Sequence, residues 1–198
     1  MGNLKLTSSA FEDGGEIPRK YGYKNGNVSP PLTIEGFTRD TKSLTLIMDD
    51  PDAMAAVGKV WVHWVVYNIY PYWNKQANSP YQVLEIPESK TTSVAPLTML
   101  EWRNPATSRT KRFKEFLGES YGSSFGMFGV TDFDEFAYGG PAPPDKPHTY
   151  VFKLYALDIG GFKAYASSKD VPTTKADIEN VMEGHIIEQA TLTGTYAP

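Results

Sequence analysis

The sequence predicts an all-β fold with a few peripheral helices, among them one near the C-terminus. Turn formers are dense, with 15 prolines and 17 glycines in 198 residues, which suits many short strands better than long helices. Residues 60–69 are β-branched or aromatic almost throughout, as a central strand requires. The clearest helical spacing falls late, in residues 174–189. A composition of 40% hydrophobic and 21% charged residues fits one soluble globular domain.

Taken in order, residues 4–11 alternate apolar and polar side chains until Glu12-Asp13-Gly14-Gly15 breaks the pattern, giving a short strand and a turn. Pro18, Gly22, Gly26 and Ser29-Pro30-Pro31 then mark an irregular connection, and residues 32–37 a second strand. Residues 43–50 form a clearer one, with Leu44, Leu46 and Met48 on a face that runs on into Asp50. Asp50-Pro51-Asp52-Ala53 is a compact acidic turn in which Pro51 holds its predecessor extended. On the strand 60–69, Trp61, His63, Val65 and Tyr67 are expected on one face and Val62, Trp64 and Val66 on the other.

Residues 70–128 read as an insertion, with Pro80, Pro87, Pro96 and Pro105 against any long element. Inside it, residues 110–117 predict a short helix, with Phe113, Phe116 and Leu117 at helical spacing and Gly118 ending it. Arg103, Arg109, Lys111, Arg112 and Lys114 make the segment locally basic, either as a solvated face or as a docking surface for an acidic partner or a second subunit. Gly118-Glu119-Ser120-Tyr121-Gly122 has the spacing of a nucleophile elbow, but a charged stretch precedes it and no helix follows, so the match is discarded. A loop rich in glycine and proline, residues 139–147, leads into a strand over 149–157, where His148, Tyr150, Phe152 and Leu154 share a face. Thr174 caps the helix of 174–189, whose stripe of Ile178, Val181, Met182, His185 and Ile186 packs on the β core. Residues 192–196 read as a docking tail.

A formal net charge of −4 gives no general attraction to nucleic acid or to anionic membranes. No apolar run is long enough to span a bilayer, and the N-terminal stretch lacks a signal-peptide pattern, so a cytoplasmic protein without integral membrane association is expected. The absence of cysteine removes disulfides, thiolate metal sites and cysteine nucleophiles. Two of the three histidines, His63 and His148, lie on strands with apolar support, and Asp50 ends a third strand. Were those strand ends to meet, two imidazoles, the carboxylates of Asp50 and Asp52 and the Tyr150 phenol would surround one polar pocket. Read separately, His63 is equally a core histidine satisfied by backbone carbonyls, and the Asp50–Asp52 turn an ordinary solvated turn.

Several motifs in order resemble the phosphatidylethanolamine-binding protein family, in its prokaryotic Raf kinase inhibitor-like branch. They are Leu6-Thr7-Ser8-Ser9-Ala10-Phe11 with Gly26-Asn27-Val28-Ser29-Pro30-Pro31-Leu32, the acidic Asp50-Pro51-Asp52-Ala53, and Val62-His63-Trp64-Val65-Val66-Tyr67-Asn68-Ile69. Tyr138-Gly139-Gly140-Pro141-Ala142-Pro143-Pro144 with His148 and Tyr150, and the closing Gly194-Thr195-Tyr196, complete the set. The resemblance implies an antiparallel β-sandwich with a small cavity for phosphate-like anions or phospholipid head groups. It places Asp50, His63, His148 and Tyr150, with Asp52, in the lining and Gly140, Ala142 and Pro143 at the rim. Where the family's acidic signature continues with proline, this chain has Met54. The segment 70–128 would gate the cavity or form a homodimer contact.

The function expected is non-catalytic: an anion-binding regulator that inhibits a kinase or a serine protease, with no cofactor. The alternative is a metal-dependent hydrolase using the two histidines and two aspartates as zinc or iron ligands.

Overall fold

The computed structural model describes residues 4–71, 83–88, 101–103, 110–112, 127–160 and 173–198. They form an antiparallel β-sandwich. One sheet has five strands in the order β1 (Lys5–Thr7), β3 (Leu32–Glu35), β6 (Val83–Ile86), β7 (Glu101–Arg103), β8 (Thr110–Arg112). The other has six, in the order β2 (Gly15–Glu16), β11 (Ile186–Tyr196), β10 (His148–Leu157), β4 (Ser43–Asp50), β5 (Trp61–Ile69), β9 (Met127–Phe128). Only the β2–β11 pair in these sheets is parallel.

The alternation in the sequence explains the layering. Leu44, Leu46 and Met48 of β4 meet Tyr150, Phe152 and Leu154 of β10 between the sheets, against Leu6, Leu32, Ile34, Leu84 and Ile86 from the five-stranded side. The opposite face of β4 and β5 buries Ile47, Val65 and Tyr67 under Ile178 and Met182 of α2 (Lys175–Met182). β4 is therefore buried on both faces, and its run of apolar residues serves two cores.

Three expectations change. The helix after Thr174 ends at Met182 instead of reaching residue 189, because Gly184 turns the chain at φ +78° and the β-branched residues beyond it pair with β10 along the whole of β11. The cap itself is present: Thr174 accepts from the Asp177 amide, and Asp177 accepts from the Thr174 amide at 2.8 Å. His185 consequently leaves the buried stripe and pairs with Asp158 at 2.8 Å on the surface. Second, residues 110–112 pair with β7 as a strand, not a helix; the remainder of that expected helix and the Gly118–Gly122 motif lie outside the described residues. The segment 70–128 also supplies β6, β7, β8 and β9, so its described parts build both sheets of the sandwich. Third, the acidic turn does not simply close at Ala53, which instead begins a short helix, α1 (Ala53–Val57), with Met54 exposed.

Asp49, buried on the outer side of β4, binds both Lys153 of β10 and Lys175 of α2 at 2.6 Å. This carboxylate ties the helix to the sheet. Both lysines retain access to water, so losing their partner leaves them solvated and the cost is moderate. Asp49→Ala should destabilise the fold by about 1–3 kcal/mol in urea unfolding; a change under about 0.5 kcal/mol, the range of an ordinary surface substitution, would remove the tether.

Candidate functional site

The site is built where the end of β4, the middle of β5 and the start of β10 meet. Pairing of β4 with β10 brings Asp50 to His148, and their side chains bond directly, Asp50 Oδ2 to His148 Nδ1 at 2.7 Å. Both are buried. The second oxygen of Asp50 accepts from the Ala53 amide at 3.0 Å, so the first turn of α1 shares the carboxylate. Asp52 points instead to the strand, accepting from the Thr149 amide at 2.8 Å and closing the acidic turn against β10.

His63 reaches the same place through an irregularity. The register between β4 and β5 shifts between Met48 and Asp49: Trp64 pairs with Met48 and Val62 with Asp49, leaving His63 as an extra residue. The expected face with Val65 and Tyr67 is thereby broken. Those two pack under α2, while His63 turns inward and lies edge-on to Tyr150, with ring centroids 5.1 Å apart. A strict period of two cannot show this, because one inserted residue reverses every side chain beyond it.

The loop of Gly139 and Gly140 is fixed by its neighbours. His63 Nδ1 donates to the carbonyls of Gly139 at 2.7 Å and Gly140 at 3.1 Å, while the Gly139 amide donates back to the His63 carbonyl at 2.8 Å. Gly140 donates to Asn27 Oδ1 at 2.8 Å, and Pro141 accepts from the Tyr23 amide at 3.0 Å. Neither glycine needs a positive φ. Space is the reason for them: a methyl group on Gly140 would collide with the Tyr21 carbonyl and sit 2.6 Å from the Tyr23 nitrogen. The main chain that approaches so closely is the protein's own. The segment 21–25 is held in turn by Tyr196, which accepts from Asn25 Nδ2 at 2.7 Å.

The two histidines differ in charge. A carbonyl only accepts, so His63 carries its proton on Nδ1 and, when neutral, offers a lone pair at Nε2. Burial lowers its pKa, against weaker opposition from the Gly139 carbonyl and Asp50. For His148 burial also disfavours the charge, but bonds to the carboxylates of Asp50 and Asp145 outweigh it and hold the pKa above the ordinary histidine value. Of the two rings, His148 is the one whose surroundings favour the cation. Its Nε2 lies 3.0 Å from Asp145 Oδ1 on an exposed stretch of the loop. Burial, then the Asp50 charge, pushes the Tyr150 phenol far up, so it keeps its proton. Asp50 and the Ala142 main chain influence that hydroxyl without completing a hydrogen bond, and it is buried with no partner among the described residues.

Asp50, His63, His148 and Tyr150 thus converge, with Ala142 beside the phenol and Gly140 held by His63. Asp52 braces the strand, and Pro143 is buried within the same loop. Sequence reasoning missed Asp145, whose signal was its position three residues before His148 between Pro144 and Pro147. It also missed Phe133, which stacks on Tyr23 with centroids 4.3 Å apart and meets the edges of Trp61 and His63. Among the described residues no three His, Asp or Glu side chains are arranged to hold a metal ion.

A family model described as phosphatidylethanolamine-binding protein matches residues 7–197. The chain belongs to the phosphatidylethanolamine-binding protein family. It is 34% identical over 193 residues to a UPF0098 protein of Methanothermobacter thermautotrophicus and 31% identical over 195 residues to one of Chlamydia trachomatis, each match covering 98% of both chains. Among solved structures, a phosphatidylethanolamine-binding protein homologue from Chlamydia trachomatis superposes with a TM-score of 0.68 at 30% identity, over 99% of this chain and 98% of that one. Escherichia coli YbcL, described as a new member of the mammalian family, gives 0.65 at 26%, covering 98% and 97%. The fold is shared with a carboxypeptidase Y inhibitor solved in complex with its cognate proteinase, at 17% identity and a TM-score of 0.51, over 98% of this chain and 83% of the inhibitor. Among this family member's described residues, no helix is long and apolar enough to cross a membrane, which does not bear on strands.

The opposite protonation of the two histidines gives a pH signature. His148 binds its proton more tightly folded than unfolded, so its contribution is complete below the ordinary value of 6.5 and fades as pH rises through the folded value. His63 binds its proton less tightly when folded, so it costs nothing above 6.5 and lowers stability as pH falls below that. Above 6.5 the loss therefore belongs to His148. Urea unfolding should show a stability gap between wild type and His148→Gln that narrows as pH rises above 6.5; a constant or widening gap contradicts the charge assignment.

Proposed function

We propose that this protein is a non-catalytic receptor for a small phosphate-type anion, such as the head group of a phospholipid, and that it serves as a cytoplasmic regulatory inhibitor of a kinase or a serine protease. The observation that carries the reading is the His148 imidazolium itself, fixed from behind by Asp50 and already holding a carboxylate at Nε2. A ring that holds one anionic oxygen at 3.0 Å can hold a ligand's oxygen in its place. The protonated hydroxyl of Tyr150, which completes no hydrogen bond of full geometry among the described residues, supplies a second donor beside it. His63 takes a different part: its bonded proton faces the loop carbonyls, so it shapes the rim and offers an acceptor to any donor on the ligand.

The inhibitor role draws its support from the fold, which the carboxypeptidase Y inhibitor shares. Within the site, nothing is arranged as an activated nucleophile. The phenol is held far from ionising, and the carboxylates beside His148 favour its protonated form over the free base. Both groups suit binding better than chemistry.

Calorimetric titration tests the reading. Inorganic phosphate and phosphoethanolamine should bind the wild type, and His148→Ala should weaken both by about tenfold or more, the loss of one charge-assisted hydrogen bond. Sulfate, whose charge is fixed across the range, isolates the imidazolium: its affinity should fall as pH rises through the His148 value above 6.5. Equal affinity in the variant, or a pH-flat response to sulfate, would overturn the assignment.

A further inference from the structure

Among the described residues of the site, the imidazole favoured as the cation is not free to receive a ligand. Asp50 takes Nδ1 of His148 and Asp145 takes Nε2, so the ring is clamped between two carboxylates. The two are not equivalent. Asp50 is buried and shared with the Ala53 amide, so removing it would strand a charge in the interior. Asp145 is exposed, on a loop whose neighbours Pro144, Lys146 and Pro147 are exposed as well, and it can turn into water without burying anything.

We propose that the Asp145 carboxylate is an intrinsic competitor for the anion site, occupying Nε2 of His148 until a ligand displaces it and so setting the pocket's affinity for anions. This inference rests on the reading of the pocket as an anion receptor, and it assigns to a residue outside the family motifs the control of that binding. The geometry supplies both parts of the competition. Asp145 lies on the side of the imidazole away from Asp50, so an anion using the free end of the ring meets this carboxylate first. It is tethered three residues from His148, so it competes intramolecularly, at an effective concentration on the order of millimolar or more.

The groups around His148 make Asp145 the one that must yield. Asp50 comes from the end of β4, Asp52 is committed to the Thr149 amide, Tyr150 follows on the same strand, and His63 stands behind Tyr150. Tyr196 pairs with His148 in register from β11, and Lys146 lies beside Asp145 on the exposed loop. With three carboxylates around one imidazolium, an added anion meets repulsion unless one of them withdraws, and Asp145 is the only one of the three with an exposed side chain.

The test is calorimetric titration of full-length wild type, Asp145→Asn and Asp145→Ala with inorganic phosphate at about pH 6, below the ordinary histidine value. Asp145→Ala should bind about tenfold tighter than wild type, the worth of one displaced charge-assisted hydrogen bond. Asp145→Asn should fall between them, because its amide oxygen still accepts from Nε2 without the charge. Tighter binding by Asp145→Ala supports the competitor even if wild-type binding is too weak to measure. Wild-type binding that Asp145→Ala leaves unchanged or weakens overturns the competitor while leaving the receptor standing. Phosphate binding to none of the three overturns both. NMR titration of the His148 ring adds a readout that needs no ligand: Asp145→Ala should lower its pKa, and an unaltered pKa would show that the carboxylate does not hold Nε2 in solution.

Discussion

The structure turns on one buried ion pair, Asp50 with His148. Taking two charges out of water costs several kcal/mol per ion, and the pair is maintained only because each partner is satisfied further. Asp50 gains the Ala53 amide and His148 gains Asp145. The interaction therefore does more than join two strands. It requires the end of β4 to turn into α1 at a set angle, and it requires β10 to begin where the proline-rich loop releases it. Both edges of the site are positioned by the same bond.

A second layer of constraint holds the loop that faces this pair. His63 stands in a β-bulge, a device that re-aims one side chain at the cost of one ladder position. Its ring and its backbone both bond Gly139, while Asn27 and Tyr23 hold the next two residues. Glycine at 140 lets two stretches of main chain, far apart in sequence, touch directly. Preorganisation of this kind lowers the entropy a ligand must overcome on binding. The region that stays exposed is the stretch from Pro144 to Pro147, which carries the one carboxylate able to leave the cluster.

Much of the fold was legible because the strands that matter are fully patterned. Residues 43–50 alternate faithfully, so the strand and the face shared by Leu44, Leu46, Met48 and Asp50 follow directly; the same holds for His148, Tyr150, Phe152 and Leu154. The errors have local causes. Ile186 continues the helical stripe of Ile178 and Met182 on a wheel, but Gly184 and the open edge of β10 made it strand. At His63 the period was right on either side and wrong across the bulge. The site's membership was readable from residue types and motifs, whereas its electrostatics was not. Spacing cannot tell that one imidazole faces carbonyls and the other carboxylates, and that difference favours the charge on His148 over His63. Asp145 was hidden for a similar reason, as an exposed aspartate between prolines resembles any polar turn.

The account depends most on the charge of His148. Its ring should titrate above 6.5 in the wild type and remain doubly protonated below that point, as followed by NMR of the ring nitrogens. In Asp50→Asn the value should fall, because the neutral amide no longer supports the charge. A His148 that titrates at or below 6.5, or one indifferent to the loss of Asp50, would contradict the central claim.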